Sequence, residues 1–160
     1  MAVAGWTTRD GYVRFLQTQL AARLPIEDWA SVNCEAALRP PPHSYLMQED
    51  LAELSAKPAA PVSEFALAEG ASQLGAVWAL AGSSLGNAAI LRDVQMAAGD
   101  NSWPVRFLSD TAMHTFWKGL LPQLEAQASA DAIDAACEGA LAVFDHFLKA
   151  VRSLQMREAA

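Results

Sequence analysis

LGAVWALAGSSLGNAAILR, residues 74–92, decides the fold of this chain. It reads as one long apolar helix whose middle is crowded with small residues: Gly82, Ser83, Ser84 and Gly86. A glycine costs about 1 kcal/mol against alanine in a helix interior, so helix propensity does not place them there. Gly82 and Gly86 stand at i and i+4, hence on one face. Such a face lets a backbone bend and come very close to something flat or bulky. The same small residues also suit tight helix–helix packing, and this segment alone leaves both readings open.

Outward from this helix the chain is helical in both directions. Thr7 and Thr8 offer an N-cap with Asp10 in the first turn. Tyr12, Phe15, Leu16 and Leu20 then form an apolar stripe that should end near Leu24-Pro25. A short second helix holding Trp29, Val32 and Ala36 is expected before Pro40-Pro41-Pro42, which no helix interior tolerates. Tyr45 to Ser55 reads as helix and Lys57 to Pro61 as loop. The central helix is expected to start at Glu64 or Ala68, to run to Ala97, and to stop at Gly99-Asp100-Asn101.

Beyond it, Trp103 to Leu108 is an apolar connector. A helix with Ala112, Phe116, Leu120 and Leu121 follows, bent by Pro122. Ser129 caps the last helix, whose apolar side reads Ile133, Ala136, Ala140, Phe144, Phe147, Leu148, Val151 and Leu154. Asp134, Glu138, Asp145, Lys149 and Arg152 lie on the solvent side, and the tail after Leu154 should fray. Residues 1–160 read as one all-α domain without repeat or linker.

With 160 residues the chain can bury a core of its own, and an apolar fraction of 52%, rich in alanine, favours helix over strand. A net charge of −7 without any basic run excludes a nucleic-acid footprint. Ser83, Ser84 and Asn87 interrupt the longest apolar run, which argues against a membrane span. No basic region followed by an apolar core opens the chain, so a cytoplasmic location is expected. Cys34 and Cys137, both amid apolar residues, read as buried free thiols.

Four stretches carry a family resemblance: Asp10-Gly11-Tyr12 to Phe15-Leu16, YLMQEDLAEL at 45–54, the central LGAVWALAGSSLGNAAILR, and Pro104-Val105-Arg106-Phe107-Leu108 with the later Phe116-Trp117. In order and spacing they resemble the bacterial heme oxygenases, over most of residues 8–155. The resemblance implies a single-domain helical bundle with a long, glycine-kinked distal helix over the heme. It implies heme as substrate, opened oxidatively to biliverdin, CO and iron with O2 and electrons from a partner reductase.

Carried onto this chain, the resemblance puts Gly82, Gly86 and Ser83 over the heme as catalytic positions. Arg106, Lys118 and Arg92 become candidates for the propionates, whose charge asks for charged donors. Trp78 stands where the family often has tyrosine, and Asn87 where it has a second adjacent glycine. Both are candidate heme contacts. The family's proximal histidine lies on a helix before the GY…FL segment, and the eleven residues before Tyr12 contain no histidine. The proximal helix is therefore expected to be absent.

Of the three histidines, His43 reads as a solvated loop residue, while His114 and His146 are fallback axial ligands on helices. None has metal-site spacing with another, and no GxSxG elbow or other nucleophile–base arrangement is present. Three functions remain open. The chain could be a heme oxygenase, a non-catalytic heme- or bilin-binding or interaction domain, or a structural helical domain with a small-residue seam. If the first helix is missing, the groove it filled would expose an apolar strip suited to a homodimer or a partner protein.

Overall fold

The computed structural model describes residues 5–158, and no strand occurs among them. Helix α1, Arg9–Asn33, starts where the Thr8 side chain accepts from the Gly11 amide (3.1 Å). It does not stop at Pro25 but runs through it, taking in Trp29 and Val32. A proline inside a helix leaves the carbonyl four residues back without its donor. Here that carbonyl, on Ala21, accepts from the Val62 amide of the loop lying across it (3.5 Å). Of the expected second helix only the 3-10 turn Ala36–Leu38 stands apart.

The prolines at 40–42 separate that turn from α2, Ser44–Glu53. The Glu27 carboxylate of α1 caps α2, accepting from the amides of His43 (2.9 Å) and Ser44 (3.1 Å). The central helix begins later than Glu64 or Ala68. Gly70 holds φ at +88° and breaks the chain direction, and Ser72 caps α3, Gln73–Gly82. Ser83–Gly86 tighten into a 3-10 turn, and α4, Asn87–Ala98, carries on in the same sense. Gly99, with φ +53°, ends it.

A short turn of helix α5, Arg106–Ser109, leads to α6, Ala112–Glu125, which continues past Pro122. The last helix, α7, is Ala130–Glu158 and opens where Ser129 accepts from the Ala132 amide (3.2 Å). It therefore outlasts the expected fraying point after Leu154, although residues 159 and 160 lie outside the described ones.

The helices close around three adjoining apolar clusters. In one, Tyr12, Leu16 and Leu20 of α1 meet Met47, Leu51, Val94 and Phe107. Tyr12 also donates its hydroxyl to the Pro104 carbonyl (2.9 Å) and stacks on Trp103. In the others, Ile26 and Ala30 of α1 meet Ala76, Val77 and Leu80 of α3, with Val143 of α7 and Leu120 of α6.

Helices α3 and α7 cross in close contact. A Cβ on Gly75 would lie 2.0 Å from the Ala136 carbonyl oxygen, and one on Gly139 would lie 2.2 Å from that of Ser72. The Ser72 amide donates to the Ala135 carbonyl across this crossing (2.8 Å). Residues 73–101 are long and apolar enough to cross a membrane by length and composition. In this fold Ala76, Val77, Leu80 and Val94 of that stretch are fully buried in the protein core.

On α7 the apolar side is divided. Gly139, Val143, His146 and Ala150 face the core, with Ala136, Ala140 and Phe147 at its margin. Ile133, Phe144, Leu148 and Val151, expected in the core, are exposed together with Leu141. The core side packs on α3 closely through Gly139 and Ala136, and these larger chains lie on the opposite side of the helix.

Candidate functional site

The site is built around the break in the central helix. In the 3-10 turn each serine back-bonds: Ser83 Oγ donates to the Leu80 carbonyl and Ser84 Oγ to that of Ala81, both at 2.6 Å. Gly82 lies under the indole of Trp117, and a Cβ there would stand 3.4 Å from Nε1. Gly86 is exposed, with nothing within 4 Å of a Cβ built on it. Neither glycine makes the α3–α7 crossing, which belongs to Gly75 and Gly139. The packing explanation thus falls on a different pair from the one the sequence suggested.

Beneath the turn lies Arg23, fully buried on α1. Its Nη2 donates to Ser83 Oγ (2.5 Å) and its Nε to Gln19 Oε1 (3.3 Å). The guanidinium sits between two rings, with Cζ 5.3 Å from the centroid of Phe107 and 5.8 Å from that of Phe147. Nη1 has no partner among the described residues. Burial pulls the Arg23 pKa down to about 10, against the raising influence of Glu27. A positive charge therefore stands in apolar surroundings, directly bonded to the hydroxyl at the helix break.

The histidines are placed differently from expectation. His43 is not a solvated loop residue. It is 1% exposed, and its Nε2 lies 2.7 Å from Asp110 Oδ1. Burial and the field of Arg23 lower its pKa, outweighing Asp110 and Glu27. His146 is buried on the core side of α7, edge-on to Phe65 at 5.4 Å, its pKa lowered by burial and by Lys149. His114 is half-buried on α6, its ring tilted against Trp117 at 6.4 Å. Of the two fallback ligands, His114 is the one in ring contact with Trp117, the residue against Gly82.

Arg106 is committed elsewhere. It bonds Glu53 at 2.7 Å and Asp50 at 3.2 Å, with Glu49 at 3.7 Å. Asp50, fully buried on α2, caps the start of α5 by accepting from the amides of Arg106 (3.1 Å) and Phe107 (3.0 Å). Three carboxylates hold this guanidinium, so its expected role at a propionate is corrected to that of a clamp between α2 and α5. Lys118 and Arg92 are exposed, Lys118 directly after Trp117. Trp78 lies one turn before Gly82 and lines a separate cavity of about 450 Å³ between α3, α6 and α7, with Leu74, Ile133 and Cys137. Asn87 is buried, its Nδ2 without a partner among the described residues. Cys34 is buried as expected, whereas Cys137 is exposed.

The fold thus gathers Gly82, Ser83 and His114, with Trp117 and Arg23, and sets Arg106 apart. Arg23 was legible as an anomaly. It stands seven residues after Leu16 and three after Leu20, on the buried stripe of α1, where an apolar residue belongs. The pairing of His43 with Asp110, 67 residues later, has no local signal. No family model, no curated protein and no solved structure matches the chain.

Proposed function

We propose that this chain is a heme oxygenase-like protein that binds a tetrapyrrole against the Gly82–Asn87 segment. The ligand is heme, and its oxidative opening to biliverdin, CO and iron, with electrons from a reductase, is the activity. One observation carries this reading: Gly82 and Gly86 have no packing task that requires glycine, and Gly86 opens on free space. A glycine kept in a helix at a cost of about 1 kcal/mol, where the fold makes no use of it, suits a ligand lying flat on the backbone. Trp117 serves as a wall beside it, and Lys118, exposed and directly after Trp117, as a cation for a propionate.

A second reading is favoured by the histidines. His43 and His146 are enclosed, at 1% and 4% exposure. Only His114 is both partly open and next to Trp117. The described residues therefore suit the tetrapyrrole face better than the iron, and a non-catalytic heme- or bilin-binding protein is the alternative.

Hemin titration followed through the Soret band tests both. Saturable one-to-one binding, weakened by Gly86→Leu, is the expected result, followed by bilin absorbance when reductant is added under air. Saturable binding without bilin under reductant selects the second reading. No saturable shift overturns both. Loss of the sharpened band in His114→Ala alone would assign the axial ligand.

A further inference from the structure

The exposed apolar residues of α7 are not scattered. Cys137, Leu141, Phe144, Leu148 and Val151 follow one another at spacings of four, three, four and three, the seam of a coiled coil. Leu141, Phe144 and Leu148 are 59%, 52% and 50% exposed, on the longest helix of the described chain. The core side of α7 is already filled by α3 and α1, so this seam is a second face and not a loosely packed part of the first. From Cys137 to Val151 it runs about 21 Å at ~1.5 Å per residue.

We propose that the seam pairs with the same seam of a second copy, the two α7 helices running antiparallel. The charges beside it decide the occupant and the direction. One flank is occupied by the core. The other carries Glu138, Asp145 and Arg152, each seven residues from the next. Antiparallel pairing that sets Leu148 against Phe144, and Leu141 against Val151, brings Glu138 opposite Arg152 of the second copy, twice by symmetry. Asp145 faces its own counterpart near the axis, with Lys149 one turn away on the same helix as counter-charge. A parallel pair would set that charged flank against the core-occupied flank of the second copy, and would gain neither bridge.

The strip is narrow compared with the ~800 Å² per partner of stable complexes, so the dimer dissociates in the micromolar range. The interface is independent of tetrapyrrole binding and is tested without it.

Sedimentation equilibrium of the full chain over a dilution series should show reversible monomer–dimer exchange. Phe144→Glu should abolish the dimer with far-UV circular dichroism unchanged. Glu138→Arg and Arg152→Glu, both on exposed positions, should each weaken association by roughly tenfold, and together restore it. A monomer at concentrations on the order of 100 µM overturns the proposal. So does a dimer indifferent to Phe144→Glu, or single charge reversals that the double reversal fails to rescue. If Phe144→Glu does not fold, the charge-reversal pair decides alone.

Discussion

Arg23 shows how one residue can oppose the fold that contains it. Its charge is fully buried, and among the described residues no carboxylate is bonded to it and Nη1 is unpartnered. Burying an ion costs several kcal/mol unless its partners compensate, and here they are a serine, a glutamine and two aromatic rings. Arg23→Met keeps the length of the chain between Phe107 and Phe147 and removes the charge. It should raise stability by about 1 kcal/mol in urea unfolding, while Ser83 loses its donor. Arg23→Ala should instead lower it by about 2 kcal/mol, through the void it leaves.

His43 and His146 set a pH dependence. Both have folded pKa values below the ordinary 6.5, burial being the larger cause in each. Below about pH 6.5 the unfolded chain takes up protons that the folded chain still refuses, so stability falls as the pH drops through that value. His146→Leu removes one of the two contributions. Its Tm should therefore decline less than the wild type's between pH 7.5 and pH 5.5, as followed by circular dichroism.

Among the elements, the glycines sort by use. Gly75 and Gly139 set the distance between α3 and α7, where an added Cβ would fall 2.0–2.2 Å from a carbonyl oxygen. Gly139→Ala must push the helices apart or bend them, and should cost about 3 kcal/mol in urea unfolding. Gly86→Ala meets open space at φ −79° and should stabilise by about 0.5–1 kcal/mol. Opposite signs at two helical glycines would show which one the fold needs. The same logic covers Pro25. The expected break did not occur, because the loop amide of Val62 supplies the donor that the proline withholds. Neither compensation is local, and periodicity carries no trace of either.

For the whole molecule, α1 contributes to all three apolar clusters and α3 to two of them, whereas residues 56–72 form a long loop that enters the core through Phe65. Amides of residues 16–26 and 76–81 should be the slowest to exchange with deuterium, and those of residues 63–70 among the fastest, as read by mass spectrometry. The sequence alone determined the all-α class, the order of most helices and the caps at Thr8, Ser129 and Gly99, because these depend on spacing and on residues within one turn of each other. It also singled out Gly82, Ser83 and Gly86 as residues that helix propensity would not choose. The tertiary structure decided which glycines pack and which stay open, that Arg106 is held by three carboxylates, and that His43 is buried against Asp110. It decided as well that half the apolar side of α7 faces outward. Each of these depends on which distant surface arrives first at a given face: a carbonyl against Gly75, a carboxylate against Arg106, a helix of small residues filling the core side of α7. Distance along the chain conveys none of that, since burial is settled between elements and not within them.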